Sequence, residues 1–213
     1  MRENIWKNIK LGFKTNKLAV AGAVAILLLA LISIFAFLYP VDPNAISATE
    51  RLNAPSMSHL FGTDDMGRDY LARCIYGGRA SILVGFLTWM NIARIVRGET
   101  ISLNEREYVI YAKISGQKKF STIVHHILPN IMPTIIVAAT MNIANAILME
   151  SALSFFGLGI QPPTASWGSM LSNAQRYIQQ APYLAIFPGI LILITVISFN
   201  YLGEVLRKVF EPK

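Results

Sequence analysis

Long apolar runs alternate with polar segments along this chain, and the alternation predicts its architecture. Residues 18–39 contain no charged side chain and are long enough to cross a membrane once. The apolar runs 127–157 and 183–202 also reach this length, and a shorter run occupies residues 80–96. Because a lipid-embedded backbone must satisfy its hydrogen bonds internally, such runs form helices. The pattern predicts an all-α, polytopic transmembrane bundle of about four spans.

The run at 80–96 is too short for an ordinary span. Only about 14 residues separate Arg79 from Arg94, whereas a crossing needs about 20. A crossing is nevertheless required here if the first span leads outward and the following polar segment lies inside.

The polar segment Val96–Pro133 carries clear helix signals. Ser102 and Glu105 form an S-x-x-E capping box, and Gly116 stands where a helix commonly ends in a left-handed residue. These signals predict a short helix over about 103–116, roughly 20 Å long. A second helix is expected from near Ser121, running directly into the next apolar segment.

The short helix is predicted to be amphipathic. Leu103, Ile110 and Ile114 fall on one side at helical spacing, with Val109 and Tyr111 beside them. Glu105, Arg106 and Lys113 fall on the other side. The spacing therefore predicts a packed apolar side and a solvated polar side.

Composition supports the membrane interpretation. Of the 213 residues, 54% are hydrophobic and only 15% are charged, against about 25% charged in soluble domains. The net charge of +7 raises the alternative of nucleic-acid binding, but its distribution argues against that. The single cysteine, Cys74, excludes an intramolecular disulfide.

Basic residues are concentrated in three segments. Five precede Leu18 against one acid, six lie between Arg94 and His126 against three, and three follow Tyr201 against two. Since basic loops stay on the cytoplasmic side, this distribution predicts cytoplasmic N- and C-termini. Residues 1–17 place apolar side chains among lysines, which is typical of an interfacial helix. A cleaved signal peptide is disfavoured because the apolar run is too long.

The polar stretch 40–79 is predicted to be an external loop with a dense group of glycine and charged residues. Thr63 or Asp64 is placed to cap a helix, and Arg68 and Asp69 are placed to pair with each other. A calcium loop is a poor alternative because the oxygen ligands lack EF-hand spacing. The members of this external-loop signature are Gly62, Thr63, Asp64, Gly67, Arg68 and Asp69.

This signature, with Tyr76, Gly77 and Arg79 after it, resembles the outer loop of the dipeptide/oligopeptide/nickel permeases of ABC importers. The stretches ESALSFFGLGIQPPTASWGSML and APYLAIFPGILILITVISFNYLGEVLR resemble the same family. The resemblance implies a segment within 157–181 that dips back into the bilayer, with Trp167 and Tyr177 at the interface.

The run from Gly116 to Pro129 resembles the family's cytoplasmic EAA loop, which contains the coupling helix that docks on the ATPase. The family's Glu-Ala-Ala triplet falls on Ile110, Tyr111 and Ala112, so only the last alanine is kept. The resemblance implies a coupling loop over 97–126 with the docking residues Ile110, Tyr111, Ala112, Gly116, Leu128 and Pro129. An ordinary interfacial helix pair is the alternative.

The family has six spans, so material on the order of 80 residues is missing near Phe86–Leu87, judged by span lengths. Either the deletion is genuine, or the sequence is closed over a missing stretch. The resemblance then implies four parts of the chain: the interfacial segment 1–17, a first span 18–39, the loop 40–79, and a permease domain 80–213.

The implied function is ATP-driven import of peptides or nickel by alternating access. The implied partners are a second permease subunit, two ATPase subunits, an external substrate-binding protein and membrane lipid. The chain contains no G-x-x-x-x-G-K-[ST] motif, so ATP hydrolysis is expected on separate subunits, and no cofactor or metal is expected. A defective, non-transporting remnant of such a permease is the alternative.

Glu150 lies inside an apolar run, where a carboxyl group is costly and is expected to face protein or a water-filled path. A helix-packing or gating contact and a proton relay are both open interpretations. A membrane enzyme using Glu150 and the histidines is a third hypothesis, but His126 lies about 35 Å of helix rise away. His125 and His126 point apart on a helix, which disfavours joint metal binding.

Overall fold

The computed structural model describes residues 17–87, 89–161 and 163–210, without the side chains of 84–87, 209 and 210. The interfacial segment predicted at the N-terminus lies outside the described residues. Within these ranges the chain is helical, and the only β-type pairing is an isolated bridge between Thr63 and Asp69. The predicted all-α class is confirmed.

Eight α-helices occur in the described residues. They are α1 (Lys17–Ile34), α2 (Tyr70–Leu87), α3 (Trp89–Asn104), α4 (Glu107–Ile114), α5 (Lys119–Thr122), α6 (Leu128–Phe155), α7 (Trp167–Ala174) and α8 (Tyr183–Phe210). A 3₁₀ turn, Phe35–Leu38, extends α1, and a π-helical turn, Ile123–Ile127, joins α5 to α6. Two further 3₁₀ turns are Ala48–Glu50 and Gln175–Tyr177.

Three continuous helical stretches among the described residues are long and apolar enough to span a membrane: Lys17–Leu38, Lys119–Phe155 and Tyr183–Lys208. They coincide with the predicted runs 18–39, 127–157 and 183–202. The fourth predicted crossing, over 80–96, is not among them; α2 and α3 lie on either side of residue 88, which is outside the described residues. That crossing stays a prediction.

Small residues bring the long helices together. α6 packs along α8, and α1 packs against the other side of α8. A Cβ on Gly22 of α1 would lie 3.2 Å from the Cα of Ser198, and one on Gly203 would lie 3.1 Å from the Thr140 hydroxyl. In lipid, where apolar burial gives little drive for association, such close backbone approach supplies packing energy.

The main buried cluster lies where α2, α7 and α8 meet. Trp167, at the start of α7, is 1% exposed and packs against α2, so its ring contacts protein. Ser166 and Ser169 form a reciprocal capping box that begins α7 inside the protein. The buried members of the cluster are Tyr70, Cys74, Ala165, Trp167, Met170, Ala174, Ala181, Leu184 and Ile192.

Candidate functional site

The loop of residues 40–69 folds into a hydrogen-bonded cap on the start of α2. Asp64 organises a tight turn: its carboxylate accepts from the backbone N–H of Met66 at 2.9 Å and of Arg68 at 3.0 Å. Gly67 closes this turn with φ +72°, and a Cβ there would lie 1.8 Å from the Ser47 carbonyl oxygen. Glycine is therefore required at this position.

Arg68 pairs with Asp64 rather than with Asp69. The Arg68 Nε lies 2.7 Å from Asp64 Oδ2, and both side chains are buried. Arg73 of α2 approaches the same carboxylate oxygen at 3.4 Å. The predicted Arg68–Asp69 pair is wrong, because the turn closed by Gly67 brings Arg68 back over Asp64.

Asp69 is the residue that caps α2. Its Oδ1 accepts from the Ala72 N–H at 2.7 Å, the position expected of an N-cap side chain. The predicted caps, Thr63 and Asp64, are therefore wrong: the loop continues for five more residues before the helix begins at Tyr70.

His59 joins two acidic groups of the loop and was not singled out from the sequence. Its Nδ1 lies 2.9 Å from Asp69 Oδ2, and its Nε2 lies 3.6 Å from Glu50 Oε1. The hydrogen bond to Asp69 raises the pKa of His59 above its ordinary value of 6.5, with Glu50 adding to the effect and partial burial opposing it. Ten residues separate His59 from Asp69, so no local pattern indicated this contact.

Thr63 fastens the same loop to α8. Its hydroxyl donates to the Glu50 carbonyl and accepts from the Asn53 N–H at 2.9 Å. The Tyr183 hydroxyl bridges the carbonyl oxygens of Asn53 and Thr63 at 2.8 and 2.9 Å. Gly62 stands beside this ring with φ +76°. The loop is thus tied to both α2 and α8.

The loop cluster is suited to holding structure, not to chemistry on a substrate. Its carboxylates are engaged by arginine, histidine or backbone N–H groups. No group of three His, Cys, Asp or Glu side chains within the described residues is placed to hold a metal ion. The arrangement fixes the ends of α2 and α8 relative to each other.

Glu150 lies in the middle of the helix packing, as its cost in lipid requires. It is 6% exposed, accepts from the Ser154 hydroxyl at 2.7 Å, and lies 3.4 Å from the Ser81 hydroxyl of α2. Its carboxyl group therefore links α6 to α2, and the expectation that it faces protein is confirmed.

Gly116 ends α4 as the sequence indicated. It has φ +75°, and the Gln117 N–H bonds to the Ala112 carbonyl at 3.2 Å, the long-range bond of a Schellman motif. The capping box is wrong. Ser102 lies within α3, which continues to Asn104, and α4 begins after Arg106 without a side-chain cap.

The buried side of α4 differs in part from the predicted apolar side, while the predicted polar residues Arg106 and Lys113 are exposed. Val109 and Ala112 are buried. Val109 packs on Ile127, which lies just before α6, and on Ile131 at the beginning of α6. Of the predicted apolar side, Leu103 is half-buried, but Ile110 is 43% and Ile114 80% exposed, and Tyr111 beside them is 74% exposed. Contact with α6 selects Val109 over Ile110 as the inward-facing residue, because the two neighbouring side chains are equally apolar.

Leu128 and Pro129 lie at the first turn of α6, on the same side of the bundle as α4. Leu128 is 43% exposed. Pro129 does not disrupt the helix, because the backbone N–H groups of the first turn have no intrahelical acceptor to bond with. His125 and His126 bond to different partners, the Ser121 carbonyl at 3.0 Å and the Gln117 side chain at 3.2 Å. They do not converge on a shared site.

Comparison with known proteins identifies the family. Residues 23–213 match the model of the family described as binding-protein-dependent transport system inner membrane component. The dipeptide transport system permease protein DppC of Alkalihalophilus pseudofirmus is 34% identical, over 98% of this chain and 90% of its own length. The oligopeptide transport system permease protein OppC of Bacillus subtilis is 31% identical, over 99% and 90%. The DppC of Escherichia coli is 31% identical, over 94% and 91%.

The alignments also show that this chain is short. The match to the A. pseudofirmus protein extends over 273 residues, whereas this chain has 213, so at least 60 aligned positions have no counterpart here. This agrees in direction with the missing material inferred from span lengths. The chain belongs to the family of binding-protein-dependent transport system inner membrane components, as a permease of the peptide ABC transporters, in which the ATPase is a separate subunit.

Proposed function

We propose that this chain is the permease subunit of an ATP-driven importer that moves peptides across the cytoplasmic membrane by alternating access. Peptides are favoured over nickel because the relatives are named as dipeptide and oligopeptide transport permeases. The proposed partners are a second permease subunit, two ATPase subunits and an external binding protein that delivers the substrate.

The observation that carries this proposal is the exposed apolar face of α4. Ile110, Tyr111 and Ile114 form one exposed apolar face on a helix flanked by charged residues, and a face of this kind favours a partner surface. Val109 and Ala112 meanwhile anchor the helix to the first turn of α6. A load applied to the exposed face is therefore passed directly to a membrane-spanning helix.

The contacts beyond α4 support the transmission of this load through the bundle. α6 carries the load along its length to Glu150, which contacts α2 through Ser81. The loop cluster then holds α2 to α8 at the opposite end through Tyr183 and Thr63. With the basic segments inside, α4 and both termini are cytoplasmic and the loop is external.

Substitution of the exposed face tests the proposal. We expect the double variant Tyr111→Ser, Ile114→Ser to reduce copurification of the ATPase subunits, and ATP-dependent peptide uptake with it, while the chain remains folded. Ile46→Ser is the matched control, because Ile46 is 69% exposed in the loop at the other end of the bundle. Unchanged copurification in the double variant would refute docking at α4.

Gly116 provides a second test of the same site. Gly116→Val forces a β-branched residue into φ +75°, where open space surrounds the position but the backbone is strained. The end of α4 then changes direction, and ATPase association weakens. Pull-down of the complete complex in unaltered yield would count against this role.

The missing aligned positions favour a second candidate, a permease that inserts but does not transport. Loss of at least 60 positions removes walls of a translocation path that the relatives possess. Uptake into membrane vesicles containing the partner subunits separates the two candidates. Peptide accumulation above the level of an ATP-free control excludes the remnant.

A further inference from the structure

Arg79 of α2 is a cation at the edge of the bundle. It is exposed, and none of the described residues offers it a carboxylate or a hydrogen bond. Arg79 and Ser81 are two residues apart on α2 and therefore face nearly opposite ways. Glu150 of α6 bonds to Ser81, so its carboxylate lies on the buried side of α2, away from Arg79. An exposed guanidinium at the loop end of a membrane-associated helix lies at the depth of lipid headgroups, whose phosphates are anionic partners for it.

Two adjoining grooves share Arg79 in their walls. One, of about 320 Å³, is partly polar and is lined by Asn44, Tyr76 and Thr164 among others. The second, of about 210 Å³, is mostly apolar and is lined by Ala30, Ser33 and Ile34 of α1 with Ile82 of α2. Leu83 contributes to both grooves.

The two grooves overlap along α2 between Arg79 and Leu83, and only the partly polar one extends toward the loop, as far as Tyr76. At 1.5 Å per residue, Tyr76 lies about 4.5 Å nearer the loop than Arg79, and Leu83 lies about 6 Å further into the bundle. The sequence of environments from the loop inward is therefore polar, cationic and apolar. A phospholipid presents the complementary sequence of polar headgroup, phosphate and acyl chain.

The polar groove is held in shape by the loop. Arg73 donates to the Pro43 carbonyl at 3.3 Å and to the Asn44 side-chain oxygen at 3.4 Å, which leaves the amide NH₂ of Asn44 available. Arginine binds phosphate through two parallel N–H groups, so its geometry suits this anion particularly well.

We infer that the Arg79 groove binds one anionic phospholipid, with its phosphate on the guanidinium and an acyl chain between α1 and α2. An anionic headgroup is favoured over a zwitterionic one because no ammonium group then competes with Arg79 for the phosphate. The inference does not depend on the transported substrate, and its test requires neither ATPase nor transport.

Native mass spectrometry of the full chain in mild detergent, titrated with phosphatidylglycerol, tests this inference. We expect one retained lipid, weaker retention of phosphatidylcholine, and no competition from millimolar inorganic phosphate. Arg79→Gln should lower retention about fivefold, as expected for the loss of one headgroup charge contact. Arg176→Gln is the matched control, since Arg176 is exposed at the same end of the bundle but lines neither groove.

Ala30→Phe provides an independent test by filling the apolar groove while leaving Arg79 in place. It should also lower retention of phosphatidylglycerol. Equal retention in Arg79→Gln and the unaltered chain would overturn the inference. Full displacement of the lipid by inorganic phosphate would also overturn it and would identify a phosphate site instead. Displacement by a dipeptide, with no effect of Ala30→Phe, would overturn it too and would identify a site for a peptide carboxylate.

Discussion

The indole Nε1 of Trp167 donates a hydrogen bond of 2.9 Å to the backbone carbonyl of Cys74, 93 residues earlier in the chain. The bond joins the start of α7 to the first turns of α2, and the ring fills the centre of the main buried cluster. Gly77 and Gly78 make room for it, since a Cβ on either would lie 3.3 or 3.0 Å from ring atoms.

Trp167→Ala should be strongly destabilising. Removal of a buried aromatic side chain costs about 3–5 kcal/mol through lost contacts and the cavity that remains. Thermal unfolding of the purified chain in detergent measures this loss. Trp89→Ala is the control: Trp89 is 61% exposed, and its replacement should change stability by less than about 1 kcal/mol.

Asp64→Ala should break the turn on which the external loop is built. The change leaves the buried guanidinium of Arg68 without its carboxylate and removes the acceptor for two backbone N–H groups, a loss of about 3–5 kcal/mol. Asp42→Ala, at an exposed aspartate that accepts a single backbone N–H, should cost at most about 1 kcal/mol. Equal stability of the two variants would show that the buried pair is not required.

Gly67→Ala should destabilise the same turn through the backbone. A left-handed alanine is strained by about 1–3 kcal/mol, and its Cβ would also lie 1.8 Å from the Ser47 carbonyl. Gly98→Ala is the matched control within helix α3, where no atom lies within 4 Å of the added Cβ. That change should stabilise the helix by about 0.5–1 kcal/mol, and a comparison of denaturation midpoints distinguishes the two.

His59 should make the stability of the external loop depend on pH. Its pKa is raised in the folded protein, so protonation favours the folded state; the contribution is complete below the ordinary value of 6.5 and is lost as pH rises through the folded pKa. Protease cleavage within residues 40–69 should therefore be slower at pH 6 than at pH 8. In His59→Gln this difference should disappear, and a persistent difference would assign the effect to another group.

A site residue could be predicted from the sequence where its role depends on the local backbone or on its own burial cost, and could not where its role depends on which distant residue it contacts. The left-handed end of α4 at Gly116 was predictable, because helix termination is a backbone property that few residues satisfy. The burial of Glu150 was predictable from the cost of a carboxyl group in lipid. The partner of Arg68 was not, because Asp64, Asp65 and Asp69 are all within reach and only the course of the turn distinguishes them.

The sequence by itself determined the helical class and the three long apolar helices, because backbone hydrogen bonding in lipid leaves an apolar run of this length no alternative to a helix. The sequence motifs also determined the family. Tertiary structure decided which side of α4 is buried, since Val109 and Ile110 are equally apolar and only contact with Ile127 and Ile131 selects between them. It also decided the position of Trp167: an amphipathic ring suits a membrane interface as well as a core, and the carbonyl of Cys74 supplied the partner that a buried indole needs.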